Sequence, residues 1–151
     1  MAITSEKLEI MNKLADKAIN GWTFGAFAAN LLPPPFDLIA VGAVFAKLGS
    51  KMGEIYGVKI SFDLLKKMGR SMAKGIGTVI AASYIGTGLF KYIPGVNIWV
   101  ALLIQPPIVA AISYSVGRAF KKYFNVYLTE GKYLTVDQMK DLAEGYLKSR
   151  L

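Results

Sequence analysis

The chain has 151 residues, with 18 Lys and Arg against 10 Asp and Glu, and it contains neither His nor Cys. The length suits one domain with its own core, while the missing residue types exclude thiolate and imidazole catalysis, disulfides and the usual zinc sites. Hydrophobic residues make up 54% and charged residues only 19% under a net charge of +8, which points first to a membrane, since soluble domains carry roughly 25% charged residues.

The first predicted helix runs from Ser5 to about Ala18 and is amphipathic. Apolar residues recur along it at helical spacing, and Ser5 is placed as its N-cap before two glutamates that suit the positive end of the helix dipole. We expect this helix to continue into Trp22–Leu32, which carries no charge. Pro33–Pro35 then end it, because proline lacks the amide donor that a helix needs.

The second and third predicted helices are mainly apolar. The second extends from about Phe36 to Tyr56, where Gly57 ends it with a backbone conformation that other residues avoid. The third begins near Ser61, a suitable N-cap. It carries apolar residues on one stripe and then becomes wholly apolar.

Two more helices complete the predicted set. The fourth runs from about Asn97 to Tyr123, with a bend at its two internal prolines. The fifth opens with Thr135–Gln138, which has the form of a capping box. The best strand candidate, Phe124–Leu128, is short, so we expect an all-α fold. The expected single domain, residues 1–151, consists of two apolar helical hairpins at about 19–56 and 61–123, with amphipathic N-terminal and C-terminal helices, the latter at 135–150.

Each predicted hairpin turns at a proline followed by a side chain able to cap the next helix. The turn and cap residues are Pro35 and Asp37 in the first hairpin, and Pro94, Gly95 and Asn97 in the second. The two stretches resemble each other weakly, which chance explains equally well in such biased sequence. Asp37 is also a candidate functional carboxylate within an apolar setting.

Small residues spaced four apart predict close helix packing in the second hairpin. Such stripes let two backbones approach each other, which matters most in lipid. Alternatively, the glycines break the third helix between Lys74 and Thr78. The residues predicted to pack are Gly77, Ala81, Gly86, Ala111, Ser115 and Gly117.

Charge is excluded from long intervals that basic residues flank. A spanning helix needs about 20 apolar residues; Ile98–Gly117 meets that length, Gly75–Phe90 does so only if extended, and Ala18–Leu32 is too short. The basic flanks suit a cytosolic membrane face. No cleavable signal peptide is visible, so we expect a cytosol-facing membrane protein, with a cytoplasmic helical bundle as the alternative. The cations expected to contact anionic lipid are Lys66, Lys67, Arg70, Lys74, Arg118, Lys121 and Lys122.

No pattern in the sequence predicts catalysis, a cofactor or a metal site. The phosphate-loop and dinucleotide-binding patterns both fail around the glycines, and no pair of carboxylates has the spacing of an acid–base pair. Nucleic-acid binding is disfavoured because the cations lie at helix ends. The aromatic residues beside them instead suggest an interfacial belt, namely Tyr114, Tyr123, Phe124 and Tyr127.

Several stretches in order resemble the domain of unknown function found in YcjF-like bacterial membrane proteins and C-terminal to Era-like GTPase domains. The resemblance covers roughly residues 27–147. It implies a helical, membrane-associated module that often works with a GTPase, which would here act in trans because no GTPase domain is attached. The motifs that carry it are Pro34–Asp37, Met52–Val58, Lys91–Asn97, Ser115–Phe120 and Tyr123-Phe124.

Together these features predict a non-enzymatic helical protein that associates with the cytosolic membrane face. Membrane lipid is the expected partner, with a GTPase or other protein partner and homo-oligomerisation left open. Two alternatives remain: a soluble helical adaptor or oligomerisation protein, and a carrier of an apolar ligand inside the hairpins.

Overall fold

The computed structural model describes residues 3–22, 38–84 and 106–150. These residues form five helices, and no strand occurs among them, so the predicted all-α fold is confirmed. The helices are α1 (Ser5–Gly21), α2 (Leu38–Tyr56), α3 (Phe62–Tyr84), α4 (Pro106–Glu130) and α5 (Val136–Arg150).

The limits of α1 differ from the prediction at both ends. Its N-cap is Thr4, whose side chain accepts a hydrogen bond from the Lys7 amide at 3.3 Å, so Ser5 is the first helical residue. The expected continuation into Trp22–Leu32 is wrong at its first residue, because Trp22 has an extended backbone. The Trp22 ring lies edge-on to Phe45 of α2, and this tertiary packing outweighs the local helical preference.

The turn between α2 and α3 follows the prediction. Gly57 has a positive φ of 69°, which glycine adopts at little cost. The Ser61 hydroxyl accepts a hydrogen bond from the Leu64 amide at 3.2 Å, which confirms the predicted N-cap.

The fourth helix is longer than predicted at its C-terminal end. It continues past Tyr123 to Glu130, and Gly131 follows with a φ of 66°. The strand candidate Phe124–Leu128 is therefore helical, since its bulky residues pack into the core at helical spacing. The capping box is confirmed: the Thr135 amide donates to Gln138 Oε1 at 2.8 Å, and the Gln138 amide donates to Thr135 Oγ1 at 3.1 Å.

Contacts between helices fix their directions. α1 runs antiparallel to α4, because Asn12 meets Asn125 while Asp16 meets Lys121 further along. α2 runs parallel to α4, since the Cβ position of Gly49 faces Phe120 and Tyr56 stacks on Phe124. α3 runs antiparallel to α2, because Gly42 meets Gly69 while Gly49 meets Leu65. α5 runs antiparallel to α4, because Arg118 meets Tyr146 while Tyr114 meets Arg150.

One apolar core joins all five helices. Fully burying a large apolar side chain stabilises a fold by about 1.5–3 kcal/mol, so a core of this extent dominates the stability of the bundle. The largest side chains buried in it are Tyr56, Tyr123, Phe45, Phe120, Phe124, Leu48, Met52, Leu65, Met68, Met72 and Ile76.

The helices α2 and α3 approach each other closely at Gly42 and Gly69. A Cβ added at Gly69 would collide with the carbonyl group of Gly42, and one added at Gly42 would lie 2.7 Å from the amide nitrogen of Arg70. Both obstacles are backbone atoms, which cannot turn aside as a flexible side chain can. These two glycines therefore allow α2 and α3 to touch backbone to backbone.

Candidate functional site

In four helices the charged residues are confined to one part, and the uncharged parts of all four lie at the same end of the bundle. Charges are missing from α1 after Lys17, from α2 before Lys47, from α3 after Lys74 and from α4 before Arg118. Because α1 and α3 run opposite to α2 and α4, these stretches all point to one end of the bundle. We call it the uncharged end, formed by residues 18–22, 38–46, 75–84 and 106–117 of these four helices; charged residues of α5 border it, with Glu144 beside Gly75 and Arg150 beside Tyr114.

Two chain segments leave from the uncharged end and return to it. Residues 23–37 join α1 to α2, and residues 85–105 join α3 to α4. Their only charged residues are Asp37 and Lys91. The predicted turn and cap residues lie outside the described part of the chain: Pro35, Asp37, Pro94, Gly95 and Asn97.

The opposite end of the bundle carries charges of both signs. It includes the start of α1 and the turns at residues 57–61 and 131–135. We call it the charged end. Exposed charged residues on or beside it are Glu6, Lys7, Glu54, Lys59, Asp63, Glu130, Lys132 and Asp137.

One face of α3 is basic. Lys67, Arg70 and Lys74 are exposed and share one side of the helix with Ser71, around a shallow concavity of about 390 Å³. Among the described residues, none of these three cations forms an ion pair, whereas Lys66 lies 3.5 Å from the Asp63 carboxylate. We call Lys67, Arg70, Ser71 and Lys74 the basic face of α3.

Two of the three α4 cations, Arg118 and Lys121, are in more enclosed positions. Lys121 donates to Asp16 of α1 at 2.7 Å, and its side chain is only 17% exposed. The Arg118 guanidinium lies 5.8 Å from the ring centre of Tyr114 and 5.7 Å from that of Tyr146. With the exposed Lys122, these cations line a concavity of about 240 Å³ between α4 and α5; its lining residues are Arg118, Lys121, Lys122, Asn125 and Tyr146.

The residues predicted to pack between helices lie in different surroundings in the structure. Gly117 faces α1, where an added Cβ would lie 2.5 Å from Ile19. Ala111 and Ser115 are buried in α4, and the Ser115 hydroxyl donates to the Ile112 carbonyl at 2.9 Å. An added Cβ at Gly77 would meet no described atom within 4 Å. The placement of Gly86 and of the Ala81 side chain lies outside what the structure describes, so their packing role stays a prediction.

The expected interfacial belt is wrong for two of its aromatic residues. Tyr123 is 1% exposed and Phe124 is fully buried, because α4 continues past them and turns both into the core. Tyr114 is partly exposed and lies between Arg118 and Arg150, whose guanidinium carbon is 3.8 Å from the ring centre. The contribution of α5 to this cluster was not predicted, since sequence spacing relates residues only within one helix.

A polar junction that was also not predicted joins α1, α2 and α4. The Tyr56 hydroxyl donates to Asn12 Oδ1 at 2.7 Å, and the side-chain amides of Asn12 and Asn125 bond to each other at 2.8 and 3.1 Å. Burial raises the pKa of Tyr56 to about 12, and the hydrogen bond with Asn125 opposes that rise. We call these three residues the polar junction; its role is to hold the helices together.

The membrane-span predictions fall partly outside the described residues. Gly75–Phe90 continues beyond residue 84, and Ile98–Gly117 begins before residue 106. Within the described ranges, no helix has both the length and the apolar character needed to cross a bilayer.

Comparison with known proteins identifies a membrane protein as a relative. Over 112 residues, or 74% of this chain, the sequence is 32% identical to magnetosome membrane protein 22 of Magnetospirillum gryphiswaldense. The match covers 57% of that relative, so the chain spans little more than half of its length. No family model and no solved structure matches the chain. The resemblance to the YcjF-like domain therefore stays a prediction.

Proposed function

We propose that this protein is a non-enzymatic helical module that associates with the cytosolic face of a membrane. Its uncharged end contacts the acyl region, and its cations contact anionic headgroups. The proposal rests on the observation that the uncharged stretches of four helices, two running opposite to the other two, all lie at one end of the bundle. The relative named as a membrane protein supports it.

The dimensions of the uncharged end fit one leaflet. The described part of α3 beyond Lys74 has ten residues, 75–84, which correspond to about 15 Å of helix at 1.5 Å per residue. That length is half of the roughly 30 Å hydrocarbon core of a bilayer. A bundle that enters to this depth leaves the basic face of α3 near the lipid phosphates.

The basic face of α3 is suited to attract anionic lipid because its charges are not neutralised within the described part of the protein. Each Lys or Arg near an anionic surface contributes about 1 kcal/mol. The three cations of this face therefore contribute about 3 kcal/mol, roughly a hundredfold in partitioning. By contrast, Lys121 is neutralised by Asp16 and contributes less.

Flotation with liposomes tests the proposal. The wild-type protein should float with vesicles that contain phosphatidylglycerol, and K67Q/R70Q/K74Q should bind them roughly a hundredfold more weakly. The matched control K7Q/K59Q/K132Q has the same net charge but alters exposed lysines away from the uncharged end. It should bind nearly as well as the wild type.

Two results would contradict this function. Equal weakening by both triple variants would mean that net charge, and not the basic face of α3, drives binding. A protein that stays monodisperse without detergent and ignores all vesicles would instead indicate a soluble adaptor. A GTPase partner, which the YcjF-like resemblance implies, is part of the proposal and is testable by crosslinking in cells.

A further inference from the structure

We propose that the concavity between α4 and α5 is a binding site for a phosphate group, carried either by an anionic lipid headgroup or by a soluble phosphate ester. The lipid form of this site rests on the membrane association proposed above. The soluble form does not depend on it.

Three cations of α4 line this concavity in the seam between α4 and α5, namely Arg118, Lys121 and Lys122. Arg150 of α5 lies outside its lining, against the Tyr114 ring that Arg118 also contacts, and adds positive charge nearby. Like charges held close together repel each other, so an anion bound among the cations of the concavity lowers that repulsion.

Acidic groups neutralise only part of this charge. Asp16 pairs with Lys121, and Asp141 lines a neighbouring concavity together with Lys122. No ion pair involves Arg118, Lys122 or Arg150 within the described ranges. The seam therefore keeps an excess of positive charge, as an anion site requires.

The Arg118 side chain is oriented before any ligand arrives. Its guanidinium contacts both the Tyr114 and the Tyr146 rings, which restricts its rotation, and no acidic side chain within the described ranges pairs with it. A planar guanidinium can donate two parallel hydrogen bonds to one phosphate. Because less side-chain entropy is lost on binding, this arginine binds more tightly than a mobile one.

The neighbouring groups define the shape of the site. The Asn125 side-chain amide donates to Asn12 and to the Lys121 carbonyl, both at 2.8 Å, so it forms a fixed wall of the site. The concavity of about 240 Å³ leaves room for a phosphate and part of its ester. The basic face of α3 lacks such features, since one helix supplies all of its residues; it attracts anionic surfaces but does not select a ligand.

Titrations of the protein followed by two-dimensional NMR test this site. The probes are inorganic phosphate, glycerol 3-phosphate and dihexanoyl phosphatidylglycerol below its micelle concentration, with dihexanoyl phosphatidylcholine as a lipid of no net charge. We expect shifts at residues of the α4–α5 seam and an affinity about tenfold lower in Arg118→Gln. Lys132→Gln, at the charged end, should bind as the wild type does.

A second variant protects the test against misfolding. The Lys122 side chain is exposed, and it forms no hydrogen bond or ion pair within the described part of the chain. Lys122→Gln should therefore fold normally and also weaken binding. Binding of glycerol 3-phosphate without the lipid would identify a soluble ester as the source. Binding of phosphatidylglycerol in preference to phosphatidylcholine would identify a headgroup.

The site is overturned if no phosphate probe shifts the seam, or if Arg118→Gln and Lys122→Gln bind as tightly as Lys132→Gln does. Failure of the membrane proposal is read separately, from flotation of K67Q/R70Q/K74Q. The two hypotheses can therefore fail independently.

Discussion

The two ends of α2 are held to their neighbours by different means. Near its start, Gly42 touches the backbone of α3 at Gly69. At its last residue, Tyr56 joins α1 and α4 through the side chains of Asn12 and Asn125. The first contact depends on the absence of side chains, and the second depends on hydrogen bonds that all three residues complete.

This difference suits the surroundings proposed for each end. Packing between small residues holds helices together in lipid as well as in water, because it leaves no polar side chain without a partner. A network of amides and a hydroxyl is stable where water can satisfy its outer groups. The contrast predicts that a single methyl group is most harmful at the glycine contact.

Gly69→Ala should produce the largest loss of stability. The new methyl would collide with the Gly42 carbonyl, so α2 and α3 must separate, at a cost of about 3 kcal/mol. Gly77→Ala, on the same helix, is the matched control. It should raise stability by about 0.5–1 kcal/mol, since alanine favours helix and no described atom obstructs it. Urea unfolding measures both, and equal effects would refute the close contact.

Alkaline pH should weaken the other end of α2. The pKa of Tyr56 is about 12 in the folded protein and about 10 in an unfolded chain, so above pH 10 the unfolded state loses its proton first. The stability due to this shift is present below pH 10 and is lost between pH 10 and 12. Two pKa units correspond to about 2–3 kcal/mol.

Tyr56→Phe isolates that effect from the titration of lysines. The variant is less stable at pH 7, because the Asn12 oxygen loses one of its two donors and keeps only the Asn125 amide. It should then lose about 2 kcal/mol less than the wild type between pH 10 and 12. Parallel curves from urea unfolding at each pH would show that Tyr56 does not titrate as described.

Thr135→Ala should have the smallest of these effects, about 1 kcal/mol. It removes one of the two reciprocal hydrogen bonds at the start of α5, which are local to a single helix. A loss as large as that of Gly69→Ala would mean that polar contacts and close packing contribute equally. Thermal unfolding of the two variants side by side gives the comparison.

Features that depend on neighbours along the chain are predictable from the sequence. Ser61 and Thr135 are identified as caps because each acts within three residues of its own position. The extended backbone of Trp22 and the burial of Tyr123 are not predictable in this way, since both depend on packing between helices that are distant in sequence.

The candidate sites show the same division. The basic face of α3 is visible in sequence because residues 67, 70, 71 and 74 share one side of a helix. The site between α4 and α5 includes Tyr146 of α5, which no sequence spacing connects to Arg118. The pairing of Gly42 with Gly69 likewise depends on how α2 crosses α3, so the positions of glycines in the sequence do not predict it.

The antiparallel arrangement of α5 and α4 brings Arg150 beside Tyr114, whereas Ser5 begins α1 at the far end of the bundle. Spectroscopic reporters attached near these two positions would differ in height above a bilayer by roughly the length of a helix. An upright protein would separate their signals, and one lying flat would equalise them. The difference in height between these two positions therefore reports how the helices are oriented relative to the membrane.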